Sequence, residues 1–229
     1  THETACLYAL REHVGDRVQP RLAGGHSLGE YSALVAAGAL TFERALALVA
    51  RRGELMSELG RGGMIATTLE LADATALAEK HYCAVGGYNL PDQTVVAGDH
   101  KDLDALSAEM ATAFPGKRGV RLNTEGAFHT YLMVTAAERF REALEQTELD
   151  PPSVGVLSNY TGKLHEPAAN AIRSRLFFQL FNPVRWVDCM SAALESGVDT
   201  IGELGGGIGK GEGADNKRPN LESIVKKSL

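Results

Sequence analysis

Cysteine is scarce in this chain. Cys6, Cys83 and Cys189 are the only three among 229 residues. They are odd in number and far apart, so they form neither a disulfide framework nor a CxxC metal site. A reducing cytoplasm is the expected setting. Long apolar runs are missing too. The longest, Tyr31 to Leu40, is about ten residues and too short to span a bilayer. No basic-then-apolar segment opens the chain, so no secretory signal is expected. Positive charge is in deficit: 23 Lys and Arg stand against 29 Asp and Glu, a net charge of −6. That balance argues against general nucleic-acid binding, which needs a basic face. Neither nucleic acid nor membrane is therefore an expected partner. Low-complexity tracts and long like-charge blocks are absent, while apolar residues make up 44 %, enough for a packed core.

Periodicity supplies an α/β reading. Helical spacing predicts helices over 2–14, 28–37, 42–59, 130–144, 168–181 and 184–196, with Thr41 as an N-cap and Pro183 as a stop. A brief strand over 20–23 runs into Gly24-Gly25, and further strands are expected over 154–158 and 200–204. Between Gly60 and Gly126 the order changes to strand 64–69, helix 72–80, strands 82–85 and 94–97, helix 101–114 and strand 118–122. This is the β-α-β-β-α-β order of a ferredoxin-like unit. The expected architecture is a larger hydrolase-like subdomain with a parallel sheet, residues 1–61 and 126–229, and an inserted ferredoxin-like subdomain, residues 62–125.

Gly25-His26-Ser27-Leu28-Gly29 fits G-x-S-x-G, the nucleophile elbow. Small flanking residues let the chain turn sharply from strand to helix, and the serine projects from the turn. The backbone N–H of Leu28 then stands at a helix start, where it can stabilise an oxyanion. The alternative is a glycine-rich turn with a capping serine. A serine nucleophile needs a base. His2, His13, His81, His100 and His165 sit in polar or terminal settings and are expected at the surface. His26 adjoins the serine and points away from the elbow. His129 precedes a helix at the junction of the two subdomains, a position that faces a cleft. Arg52 lies on a helix with apolar neighbours. It could hold a carboxylate in its fork, or be a solvated helix arginine. Gly205 to Gly213 is one residue short of a phosphate loop and reads as a loop after a strand.

Taken together, Gly25-His26-Ser27-Leu28-Gly29-Glu30-Tyr31, Arg52-Gly53 with Met56, and Gly126-Ala127-Phe128-His129 resemble the malonyl-CoA:acyl carrier protein transacylases and the acyltransferases of polyketide synthases. The stretch Tyr88 to Gly98 and the segment Gln179-Leu180-Phe181-Asn182-Pro183-Val184-Arg185-Trp186 carry the resemblance further, which runs from Thr4 to Leu204. It implies that Ser27 attacks a malonyl thioester and that His129 takes and returns its proton. Backbone groups near Gln179 orient the histidine, without the acid of a hydrolase triad. Arg52 would bind the free carboxylate, with Met56, Phe128, His26 and Asn89 lining the substrate site. The bulk of Phe128 implies malonyl over branched acyl groups. No cofactor would be permanently bound. CoA thioester is the implied donor, and the phosphopantetheine arm of an acyl carrier protein the acceptor. The chain would act as a monomer or as part of a synthase.

The sequence departs from that family in places. A strand and a Gln-containing loop that supply the second oxyanion N–H are missing, so the chain is expected to begin inside a longer domain. Gly87 stands where an asparagine is usual. The stretch after Glu212 has no counterpart. Two other functions share the elbow. One is a serine hydrolase, a thioesterase or acyl-editing enzyme, with Asp99 or Asp102 as acid. The other is a catalytically silent docking domain for a carrier protein. Lys117-Arg118, Arg173, Arg175 and Arg185 are the candidate basic patch for an acidic carrier.

Overall fold

In the computed structural model, residues 1–206 and 221–228 are described. Helix α1 (His2–Val14) leads to the short strand β1 (Leu22–Ala23), which turns at Gly24-Gly25 into α2 (Gly29–Ala36) and then α3 (Phe42–Leu59). Thr41 caps α3 as its spacing predicts, its side chain accepting from Arg44 N at 3.2 Å. The inserted segment follows: β2 (Gly63–Thr67), α4 (Leu71–Lys80), β3 (Ala84–Leu90), β4 (Gln93–Gly98), α5 (His100–Ala113) and β5 (Gly119–Arg121). The chain returns through a 3₁₀ turn (Tyr131–Met133) to α6 (Val134–Gln146), β6 (Gly155–Ser158), β7 (Lys163–Leu164), α7 (Ala169–Gln179), β8 (Val184–Arg185), α8 (Trp186–Glu195) and α9 (Glu222–Ser228).

Two sheets organise this order. One runs β1-β6-β7, with β1 and β6 parallel as expected and β7 adding an antiparallel edge. The other runs β5-β2-β4-β3-β8. Its first four strands have the order and antiparallel pairing of a ferredoxin-like unit, and β8 from outside the insert pairs parallel to β3. The fold is α/β with these two units.

Each sheet has its own core. Leu34, Leu48, Leu55, Phe140, Val156, Ile172 and Leu176 pack the helices of the larger unit onto β6. Ile65, Leu69, Leu77, Val96, Leu103 and Leu106 bury α4 and α5 on the inserted sheet. A third cluster, Met56, Met64, Val95, Ala97, Ala127 and Met133, joins the two units, with Phe128 and Phe181 against it. Burial of this kind is the main favourable term holding the units together.

Three local expectations differ from the structure. The helix predicted over 184–196 begins two residues late, because Val184 and Arg185 take an extended path after Pro183 and fill the open edge of β3. Residues 200–204 form no strand. No ladder pairs with them among the described residues, and Ile201 and Leu204 stay exposed. β3 extends to Leu90, beyond the predicted 82–85, with pairing irregularities at Val85/Gly87 and Tyr88/Leu90 that keep Asn89 on a strand. Of the expected loop over 205–213, residues 207–213 lie outside the described residues, as does most of the stretch after Glu212. Among the described residues no helix is long and apolar enough to cross a membrane.

Candidate active site

The turn between β1 and α2 needs its glycines. A Cβ on Gly25 would lie 2.1 Å from the Gly29 carbonyl oxygen, so only glycine lets the chain reverse so tightly. Ser27 follows with φ +53°, in the left-handed region that a non-glycine residue adopts at a cost of about 1–2 kcal/mol. Leu28 caps α2, which puts its N–H at the positive end of that helix, while its side chain is exposed.

His129 also has a positive φ, +62°. The Thr130 hydroxyl ties down its loop by donating to the Ala127 carbonyl at 2.6 Å. The imidazole is buried and spans two elements. Nδ1 lies 2.7 Å from the Gln179 carbonyl oxygen, and Nε2 lies 2.7 Å from Ser27 Oγ. A carbonyl can only accept, so Nδ1 carries the proton and Nε2 is left to accept the serine hydroxyl. The Gln179 carbonyl is free for this because it closes the last turn of α7 and has no intrahelical partner. Burial first and the Arg52 charge second, opposed by the Gln179 carbonyl, bring the His129 pKa down to about 3. The ring is neutral at pH 7, the form a general base requires.

Arg52 and Met56 lie four residues apart on α3, on the face that α3 buries. Arg52 Nη2 is 3.3 Å from Ser27 Oγ and 3.4 Å from Gln179 Oε1, and the guanidinium carbon is 5.9 Å from the centre of the Tyr31 ring. Its buried Nε has no partner among the described residues. These long contacts leave a desolvated cation with unused donors next to the serine, a place suited to an anion. Met56 is buried in the cluster that joins the two units, and Phe128 packs against the same cluster.

His26 does point away from the serine. Its Nε2 is 2.8 Å from Asn89 Oδ1, its ring tilts against Trp186 at 5.5 Å, and burial lowers its pKa. The structure thus brings Ser27, His129, Gln179 and Arg52 into direct contact, with Met56 and Phe128 in the adjoining cluster. His26 and Asn89 form a separate pair that joins the elbow to β3. Asp99 caps α5 and lies 3.8 Å from Arg61 Nε, and Asp102 lies on the same helix. Neither occupies Nδ1 of His129. Arg173 is engaged by the carbonyls of Leu144 and Thr147, and Arg175 and Arg185 pair with Glu166 and Asp188.

The expectation that His165 lies at the surface is wrong. Its side chain is fully buried, with Nε2 2.7 Å from Glu30 Oε1, because a carboxylate in the first turn of α2 draws it inward. Three functional neighbours were missed. Asn159, just past β6, accepts from Ser27 N and donates to the Gly25 carbonyl. Glu30 accepts from Asn159 N and Gln179 Nε2, each at 2.9 Å. Tyr31 packs its buried ring beside Arg52, and burial raises its pKa. A carboxylate on an otherwise apolar helix was the available signal for Glu30. For Asn159 it was the carboxyl end of a parallel strand, where ligand sites gather in open α/β sheets.

Residues 4–204 match the acyl transferase domain family. The chain is 35 % identical over 213 residues to the malonyl CoA-acyl carrier protein transacylase of Bacillus subtilis, covering 89 % of this chain and 67 % of that protein. It is similar to the solved malonyl CoA-acyl carrier protein transacylase of Coxiella burnetii, with TM-score 0.86 and 30 % identity over 99 % of this chain and 69 % of that one. It is similar also to the PlMCAT:AntF complex, a type II PKS acyl-carrier protein with its malonyl-transacylase, with TM-score 0.87 and 30 % identity over 99 % of this chain and 72 % of that one. A hydrogen-bonded serine and histidine at an elbow, in a fold shared at that level, leave one conclusion: the chain belongs to the acyl transferase domain family.

Proposed function

We propose that this protein moves a malonyl group from malonyl-CoA to the phosphopantetheine thiol of an acyl carrier protein, by way of a malonyl ester on Ser27. The observation that carries the reading is one cluster: Ser27 Oγ lies 2.7 Å from His129 Nε2 and 3.3 Å from Arg52 Nη2. In the first half-reaction His129 Nε2 takes the serine proton as Oγ attacks the thioester carbon. The oxyanion forms towards the Leu28 N–H at the start of α2. The intermediate collapses, the C–S bond breaks, and the departing sulfur receives the proton from His129. In the second half-reaction the carrier thiol gives its proton to His129 and attacks the ester, and the serine oxygen leaves with that proton. The cycle is ping-pong.

Arg52 supplies selectivity. The carboxylate of a malonyl group is separated from its thioester carbon by a single methylene, which suits a cation that touches the nucleophile. An acetyl group leaves that buried cation unmatched. Pairing with a carboxylate also offsets the Arg52 charge that holds His129 down, so the base gains strength as the substrate seats. Met56 and Phe128 bound the acyl site, and the His26–Asn89 pair holds the elbow to the inserted unit. Residues 1–61 and 126–229 act as the catalytic unit and 62–125 as its insert. The reaction is placed in the cytoplasm, a setting in keeping with the free thiols of Cys83 and Cys189. Labelling with radioactive malonyl-CoA tests the nucleophile. The wild-type chain takes up label and Ser27→Ala takes up none; label retained by Ser27→Ala would refute the assignment.

A further inference from the structure

The mechanism above uses Ser27, the Leu28 N–H, His129 and Arg52, with the Gln179 carbonyl on the base, and leaves a buried carboxylate–imidazole pair unexplained. Glu30 is fully buried in the first turn of α2 and receives three hydrogen bonds. Its Oε2 accepts from Asn159 N and Gln179 Nε2, and its Oε1 from His165 Nε2. The two amide residues it holds are the ones that grip the nucleophile. Asn159 Oδ1 takes the Ser27 N–H, and Gln179 Nε2 donates to the Ser27 carbonyl at 3.0 Å. Both backbone polar groups of Ser27 are thus fixed by side chains anchored on one carboxylate. A residue at φ +53° keeps that conformation only where its surroundings over-determine it.

His165 closes this arrangement. It follows β7, its backbone N–H donates to Val156 O at 2.8 Å, and its ring has no exposure. Nδ1 is buried without a partner among the described residues, so the ring's one polar contact is with Glu30. Removing that donor would leave Oε1 buried and unsatisfied, a costly state that rotation of the carboxylate relieves. Rotation would loosen Asn159 and Gln179, and with them Ser27. Networks of this kind act as a unit.

We propose that the Glu30–His165 pair is a positioning unit, which holds Ser27 in its left-handed conformation through Asn159 and Gln179 and so keeps Oγ on His129 Nε2. The proposal rests on Ser27 being the nucleophile. Its signature is a loss in turnover with little change in malonyl-CoA affinity, because the pair reaches Ser27 through Asn159 and Gln179. Three variants separate a positioning role from a merely structural one. Gln places an N–H where His165 Nε2 stands, Asn is polar but too short to reach Glu30, and Leu fills space without a donor.

The test measures kcat, KM for malonyl-CoA and the thermal midpoint for His165→Gln, His165→Asn and His165→Leu, with Ser27→Ala alongside. Asn and Leu are expected to lower kcat by about 10- to 100-fold with KM within about twofold, and Gln to recover most of the rate. Wild-type kcat in Asn and Leu, equal losses in Gln and Asn, or a loss confined to KM would overturn the proposal. So would failure of all three to fold, which would make the pair a folding element only. If Leu alone fails to fold, the Gln–Asn comparison decides. Malonyl loading by Ser27→Ala would sink the nucleophile assignment itself. An inactive Ser27→Ala beside a fully active His165→Asn would sink only the positioning role.

Discussion

Replacing Arg52 with alanine should separate malonyl from acetyl transfer more sharply than any other single change. Among the described residues the guanidinium makes long contacts, 3.3 Å to Ser27 Oγ and 3.4 Å to Gln179 Oε1, lies beside the Tyr31 ring, and leaves its Nε without a hydrogen-bond partner. Its donors are therefore available to a carboxylate in a desolvated place. Two charge-assisted hydrogen bonds contribute about 1.5–3 kcal/mol each, so about 3–6 kcal/mol of malonyl binding is at stake. At 1.4 kcal/mol per decade this corresponds to a loss of about 10²–10⁴ in kcat/KM for malonyl loading. Acetyl loading uses none of that interaction and should change by about threefold or less, or even rise as the unmatched buried charge disappears. Arg52→Lys keeps the charge without the fork and should fall between the two. The assay is the initial rate of protein labelling with each radioactive thioester over a range of concentrations. Equal losses for malonyl and acetyl in Arg52→Ala would refute the carboxylate role. The cation would then serve only to support Gln179 and the serine.

Two other consequences follow from the site. His129 titrates near 6.5 in the unfolded chain and about 3 in the folded one, so between those values the unfolded state binds more protons and stability falls as pH falls. Between pH 7 and 5 this linkage costs about 2 kcal/mol. Urea unfolding should show a smaller loss in His129→Gln than in the wild type, the remainder coming from groups such as the buried His26; equal losses in both would mean that His129 is not held neutral by burial. Gly25→Ala places a methyl group against the Gly29 carbonyl in a turn with no slack. It should destabilise the fold by about 1–3 kcal/mol and abolish labelling; an active, stable Gly25→Ala would contradict the geometry of the elbow.

How far the sequence could be read depends on the range of the forces involved. Helix α3 was legible because its cap, Thr41, and its apolar spacing are local, and the ferredoxin-like order was legible because turn residues and periodicity alternate clearly between Gly63 and Arg121. Ser27 and Leu28 were legible because the elbow needs small residues at fixed offsets. Partners distant in sequence were not. β8 forms only because β3 leaves an edge open, and no pattern within Val184-Arg185 signals that. Residues 200–204 carry a strand-like pattern but have no neighbouring ladder among the described residues. His165 looks exposed beside Lys163 and Glu166, and only folding brings it to Glu30, 135 positions away in the chain. Asn159 carried only the weak signal of its place at the end of a strand, and its hydrogen bond to Ser27 spans 132 positions.

The central claim is transfer through an acyl-serine, and the fate of the label on Ser27 tests it most directly. The protein is charged with radioactive malonyl-CoA, freed of excess thioester, and then given holo acyl carrier protein or buffer alone. The account predicts that label stays on the protein in buffer and moves to the carrier's thiol when carrier is added. Prompt release of free malonate in buffer would contradict it, and would make the Ser27–His129 pair a hydrolase.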